Sequence, residues 1–199
     1  MLNTPKHTQA IVLSRINYAE CDRILRLLTK NYGKLSVLAK GARKERSKLS
    51  GGIELFNVNE IGFIQGRGEI STLVSSRLIS HYDQFIDNLE KVDFAYKCLK
   101  TIDKITESTT SEKYFDVVNE LLKNLNQKDI SLPITSCWWY VNLSYVTGHA
   151  INTDLLIGGK PFADNSHYSF NLDRGSFVQD DNGLYSSNHI KFLKIALSN

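Results

Sequence analysis

Residues 54–79 read ELFNVNEIGFIQGRGEISTLVSSRLI, and this stretch decides the fold. Two apolar runs flank a glycine-rich turn, QGRGE at 65–69. Successive side chains of a strand point to opposite faces. The first run therefore puts Phe56 and Val58 on one face and Leu55, Ile61 and Phe63 on the other, so both faces expect partial burial. The second run sets Ile70, Thr72 and Val74 on one side. Two such runs across a short glycine turn predict a hairpin.

Upstream, TQAIVLSRI (8–16), DRILRLLTK (22–30) and LSVLA (35–39) are three more short apolar runs. DRILRLLTK alternates imperfectly and also fits a short helix, but the turn signal NYGK (31–34) that follows favours a strand. Five short strands without a helix long enough for a crossover predict a small antiparallel barrel, because closure removes exposed sheet edges. A five-stranded barrel of this size is the OB-fold pattern.

The period changes near residue 80. HYDQFIDNLEKVDFAYKCLKTIDKIT sets Phe85, Leu89, Val92, Tyr96, Leu99 and Ile102 on one helical stripe. SEKYFDVVNELLKNL (111–125) does the same with Tyr114, Val118, Leu121 and Leu125, behind Ser111 as N-cap. A third helix is expected from Leu132 to Val146, ahead of Gly148. Its WWY (138–140) is read as core through Trp138 rather than as a stacking platform, since adjacent helical residues cannot share a face. FNLDRGSFV (170–178) reads as a hairpin and NHIKFLKIAL (188–197) as a short helix. The fold class is α+β: an antiparallel OB-fold barrel over 1–80, then a mostly helical domain over 81–199 with a β-like insertion near 150–183.

Composition is that of an ordinary globular chain, 42% hydrophobic and 23% charged. The apolar run AIVL near the N-terminus is too short for a signal-peptide core, and no run approaches a membrane span, so a cytoplasmic location is expected. Cys21, Cys98 and Cys137 are widely spaced and form no CxxC pair, which reads as three reduced thiols. The five histidines never stand at i,i+4 or in HExxH, and neither GRG (66–68) nor GGKPF (158–162) makes a phosphate-binding loop. No catalytic residue is expected. The adjacent Asp180 and Asp181 are the one opening for a metal-dependent nuclease.

Charge is uneven. Of 24 Lys and Arg, 13 fall in residues 1–80 against 6 of the 21 Asp and Glu, which suggests that the N-terminal part meets a polyanion. The densest stretch is KGARKERSKLSGG (40–52), with Lys40, Arg43, Lys44, Arg46 and Lys48 opposed only by Glu45. Arg15, Arg23, Lys34, Arg67 and Arg77 complete the candidate DNA-binding set. Cations on the loops of a small barrel can follow a phosphate backbone, and Tyr18, Tyr32 and Phe63 can stack on bases if exposed.

Several motifs in one order carry a resemblance. AIVL precedes Tyr18, Glu20, Asp22, Arg23, Ile24 and Leu25 in a Y-x-E-x-D-R-I-L segment. Gly33 and Lys34 follow, then the A-K-G-A-R stretch from Ala39 to Leu49, then R-G-E-I-x-T-L from Arg67 to Leu73. Over these residues the chain resembles the N-terminal domain of the RecO family of bacterial recombination mediators. The second half is similar in layout, with GHA near 148–155 and GKPF at 159–162. Many RecO proteins hold zinc on four cysteines in the insertion. The corresponding positions here are Leu155 and Gly158, then Gln179 and Asn182 or their neighbours, so no cofactor is expected. The family usually continues with more helix beyond 197.

The resemblance implies a non-enzymatic, nucleoid-associated protein that binds single- and double-stranded DNA and anneals complementary strands. It also implies RecR and the C-terminal tail of single-stranded-DNA-binding protein as partners in loading RecA. The rival expectation is a RecO-like protein–protein adaptor with weak or no DNA binding.

Overall fold

The computed structural model describes residues 4–66, 68–106 and 112–197. The chain forms two compact units, Met1–Leu132 and Pro133–Asn199. The first unit therefore runs past the change of period near residue 80 and takes in two helices as well as the barrel.

In the first unit, β1 (Lys6–Tyr18), β2 (Asp22–Thr29), β3 (Gly33–Ala39), β4 (Asn57–Ile64) and β5 (Ile70–His81) close into a barrel in the order β1-β2-β3-β5-β4. Four of the pairings are antiparallel. Closure itself is a parallel pair, β3 with β5, running from Ser36 opposite Ile70 to Leu38 opposite Thr72. A parallel pair needs a long connection between its strands. The basic loop and β4 together supply it.

Ala10, Val12, Leu25, Leu27, Val37, Ala39, Ile61, Phe63 and Leu73 fill the barrel. Each large apolar side chain sealed there contributes roughly 1.5–3 kcal/mol. The imperfect alternation of β2 now has a cause. Leu25 and Leu27 face the interior, while Leu28, opposite Ile11, is equally buried on the outer face. Ile11 is also opposite the buried Val58. The outer face of β1 and β2 is a second buried layer because α1 (Leu89–Ile105) and α2 (Glu112–Asn126) lie over it. On β5, Leu73 turns inward, and Ile70 and Val74 are exposed rather than core.

Asn88 caps α1, its side chain accepting from the Lys91 N–H at 3.0 Å. The buried stripe of α1 is Ala95, Cys98, Leu99 and Ile102. Leu89 and Tyr96, expected on that stripe, are exposed. α2 buries Tyr114, Val118, Leu121 and Leu125 as its period predicts, together with Phe115 and Leu122. Ser111, the expected N-cap, lies outside the described residues.

In the second unit, α3 (Leu132–Val146) buries Trp139, not Trp138, alongside Thr135, Val141 and Asn142. Asn142 Nδ2 donates to the carbonyls of Trp138 and Ala196, at 2.9 and 3.0 Å. β6 (His167–Asn171) is the centre of a small sheet, with β7 (Ser176–Gln179) on one side and β8 (Tyr185–Ser186) on the other. α4 (Ser187–Leu197) closes the unit, and Leu156, Tyr168, Phe177 and Ile190 form its core. No helix among the described residues is long and apolar enough to cross a membrane.

Candidate nucleic-acid interface

β3 leaves the barrel at Ala39, opposite Arg23 on β2, so the basic loop starts beside the β1–β2 tip. Gly41 sits at φ +63°, a conformation that glycine adopts without steric penalty. Its N–H donates to Asp22 Oδ1 at 2.7 Å. The Arg43 N–H then donates to the Cys21 carbonyl at 2.8 Å. Two further backbone bonds, Lys44 to Gly41 and Ser47 to Lys44, wind the segment into consecutive turns. Ala42 is buried in the barrel core, and Leu49 packs against the same cluster. At the far end Ser76 Oγ donates to the Gly52 carbonyl at 2.7 Å.

The backbone is thus pinned at both ends and in between. Lys40, Arg43, Lys44, Arg46 and Lys48 all remain exposed. Among the described residues none of the five side chains takes part in an ion pair or a hydrogen bond. A fixed backbone carrying uncommitted cations suits phosphate contact. Phosphate contacts carry no sequence information of their own.

The remaining candidates divide. Arg15 and Arg23 join the loop at this end of the barrel, where both face Glu54; Arg15 pairs with it closely and Arg23 at 3.5 Å. Arg77 is exposed on β5, opposite Glu60. Lys34 belongs elsewhere. Its Nζ is 2.6 Å from the Asp103 carbonyl and 3.3 Å from the Asp103 carboxylate, with Arg26 on the same carboxylate at 2.9 Å. It ties β3 to α1. Arg67 lies outside the described residues.

Of the three aromatics, Tyr18 is exposed at the β1–β2 tip, beside the loop. Phe63 is buried in the barrel, and Tyr32 leans edge-on against it at 5.4 Å. Sequence reasoning overlooks Asp22 and Glu54, the two carboxylates that position this end, because each reads there only as charge opposed to the cations. The one signal for Asp22 is its place inside the Y-x-E-x-D-R segment.

In the insertion, Leu155, Gly158, Gln179 and Asn182 offer neither thiolate nor imidazole, and Leu155 is half-exposed with its backbone bridged to Pro161. These residues do not fit a zinc ion. Among the described residues no group of three or more His, Cys, Asp or Glu is placed to hold any metal. Asp180 is committed to its own turn. Its carboxylate accepts from Ser169 Oγ at 2.6 Å and from the Asn182 N–H at 3.0 Å, and these bonds hold its pKa below the ordinary value. Burial pushes the Cys98 thiol far up and the Cys137 thiol up as well.

Residues 1–82 match the family described as "Recombination protein O N terminal". Three curated relatives carry the name DNA repair protein RecO. That of Acetivibrio thermocellus is 28% identical over 166 residues, 82% of this chain and 65% of that protein. That of Syntrophus aciditrophicus is 25% identical over 171 residues, 84% of this chain and 66% of that protein. That of Listeria welshimeri is 27% identical over 120 residues, 60% of this chain and 47% of that protein. The matched stretches thus span between about half and two thirds of the length of these relatives.

Proposed function

We propose, from a chain whose residues 1–82 match a RecO N-terminal domain, that this protein acts in DNA repair and recombination by binding DNA at the loop end of its barrel. The carrying observation is the pinned loop with five exposed cations that form no ion pair or hydrogen bond among the described residues. Arg15, Arg23 and Arg77 extend the cationic surface and Tyr18 offers a stacking face. Such a surface neutralises phosphates without reading sequence, so it serves single strands and duplexes alike. It also screens two complementary strands from one another, which is what annealing requires.

The wider role is taken from the RecO resemblance: annealing, partnership with RecR and with the tail of single-stranded-DNA-binding protein, and help in loading RecA. The protein works without catalysis and without a metal. Titration of labelled single strands and duplexes over a range of salt tests the reading. Affinity should fall steeply with salt, with a log–log slope of about −0.7 per phosphate contact on single strands. Salt-independent binding, or none at low salt, would sink it.

A further inference from the structure

We propose that a groove between β1 and α1 seats one unstacked nucleobase of a single strand against Tyr96, with Lys100 taking an adjoining phosphate. The proposal rests on the DNA-binding reading above and adds a subsite away from the basic loop. The groove has a volume of about 550 Å³, and Leu13 and Leu55 are among its lining residues. Tyr96 stands in it 47% exposed.

Two departures from regular backbone meet here. β1 carries a bulge between Val12 and Ser14, and Leu13 is the residue it displaces. Bulges re-aim side chains and gather beside functional sites. Phe56, just before β4, is held at φ +63°, a region a bulky residue enters only under strain. Its ring is driven beneath Tyr96, centroids 5.0 Å apart at 76°, and is itself backed by Phe85 at 5.3 Å. The strained residue thus acts as a fixed support for an exposed aromatic ring.

The charges around the groove select the occupant. Lys100 has no ion-pair or hydrogen-bond partner among the described residues. Arg15 and Lys97 are already paired, with Glu54 and with Asp93 at 2.6 Å, and Asp103 also lines the groove. An acidic peptide would bring several carboxylates against Glu54, Asp93 and Asp103. A nucleobase is neutral and planar and brings one phosphate, which Lys100 can meet. A paired base enters only after it is unpaired and unstacked, so the subsite favours single strands. Arg15 joins the groove to the loop end of the barrel.

The test compares Tyr96→Leu, Tyr96→Phe and Lys100→Ala with the wild type, using oligo(dT) and a blunt duplex. Tyr96→Leu should weaken oligo(dT) binding by about five- to a hundredfold, the range of base–aromatic stacking, and leave duplex binding unchanged. Tyr96→Phe should restore it. Lys100→Ala should weaken oligo(dT) alone. An oligonucleotide carrying 5-iododeoxyuridine should photo-crosslink to the peptide containing Tyr96. Unchanged oligo(dT) affinity in Tyr96→Leu, equal loss on both substrates, or a crosslink confined to residues 40–52 would overturn the subsite while the loop reading stands. A wild type that binds neither substrate would overturn the loop reading and the subsite with it. Retention of an acidic peptide by the wild type but not by Tyr96→Leu, with oligo(dT) affinity equal in the two, would assign the groove to a protein tail instead.

Discussion

Asp22 holds the N–H of Gly41 at 2.7 Å, so the tip of one hairpin fixes the first turn of the basic loop that leaves the next strand. A hydrogen bond to a charged group is worth about 1.5–3 kcal/mol. Asp22→Ala should lose about that much stability in urea unfolding and should also weaken DNA binding, because the cations lose their common frame. Gly41→Ala should cost roughly 1–2 kcal/mol through its left-handed backbone alone. An Asp22→Ala protein with unaltered unfolding midpoint would show that the loop needs no such anchor.

Cations that look alike in the sequence should separate by experiment. Replacing Arg43, Lys44, Arg46 and Lys48 together by Ala should flatten the salt slope of single-strand binding by about 0.7 for each phosphate no longer neutralised. The unfolding midpoint should hold, since among the described residues these side chains form no ion pair or hydrogen bond. Lys34→Ala should do the reverse. It removes the tie to Asp103, at a cost of about 1–2 kcal/mol, and should leave the salt slope in place. Equal slopes in the loop variant and the wild type would reduce the loop to a solvated connection.

Strands, helices and the dense loop are legible in the sequence because period, turn residues and charge are local properties. Where the chain packs on both faces, local period fails. Leu27 and Leu28 are both buried because the barrel interior and the helix layer each claim one. Trp139 rather than Trp138 enters the core because it shares a helix face with the buried Thr135 and Asn142. The division of the cations is not legible at all. Lys34 and Lys40 stand six residues apart, and only the fold brings Asp103 to one and open solvent to the other.

Asn59 is fully buried in β4, and neither atom of its side-chain amide finds a hydrogen-bond partner among the described residues. It shares the inward parity of Ile61 and Phe63 and lies opposite Ala10. An amide sealed without partners costs about 1–3 kcal/mol. Asn59→Leu, close to isosteric, should raise the unfolding midpoint while leaving DNA affinity unchanged. A lowered midpoint would show that the amide is satisfied in solution, by water inside the barrel.

The insertion should stand on aromatic packing rather than on metal. Phe177 is almost wholly buried, with Phe170 at 4.9 Å, Tyr185 at 5.6 Å and Phe162 at 5.9 Å between ring centroids. Phe177→Ala should cost about 3–5 kcal/mol, read from loss of near-ultraviolet circular dichroism. Gly183 packs directly on the Tyr168 backbone, where a Cβ would overlap the chain, so Gly183→Ala should split β8 from β6. A strong chelator should move neither the spectrum nor the midpoint, and metal analysis of the purified protein should find no stoichiometric zinc. Acid gives an independent check on the same hairpin. The Asp180 pKa is depressed by Ser169 Oγ and the Asn182 N–H, so its stabilising contribution is present above the ordinary carboxylate range and is lost as pH falls below about 4. Asp180→Asn should remove that part of the acid sensitivity. A midpoint that falls on chelation would mean that donors other than Leu155, Gly158, Gln179 and Asn182 hold a metal, and the aromatic core would then be its supplement rather than its replacement.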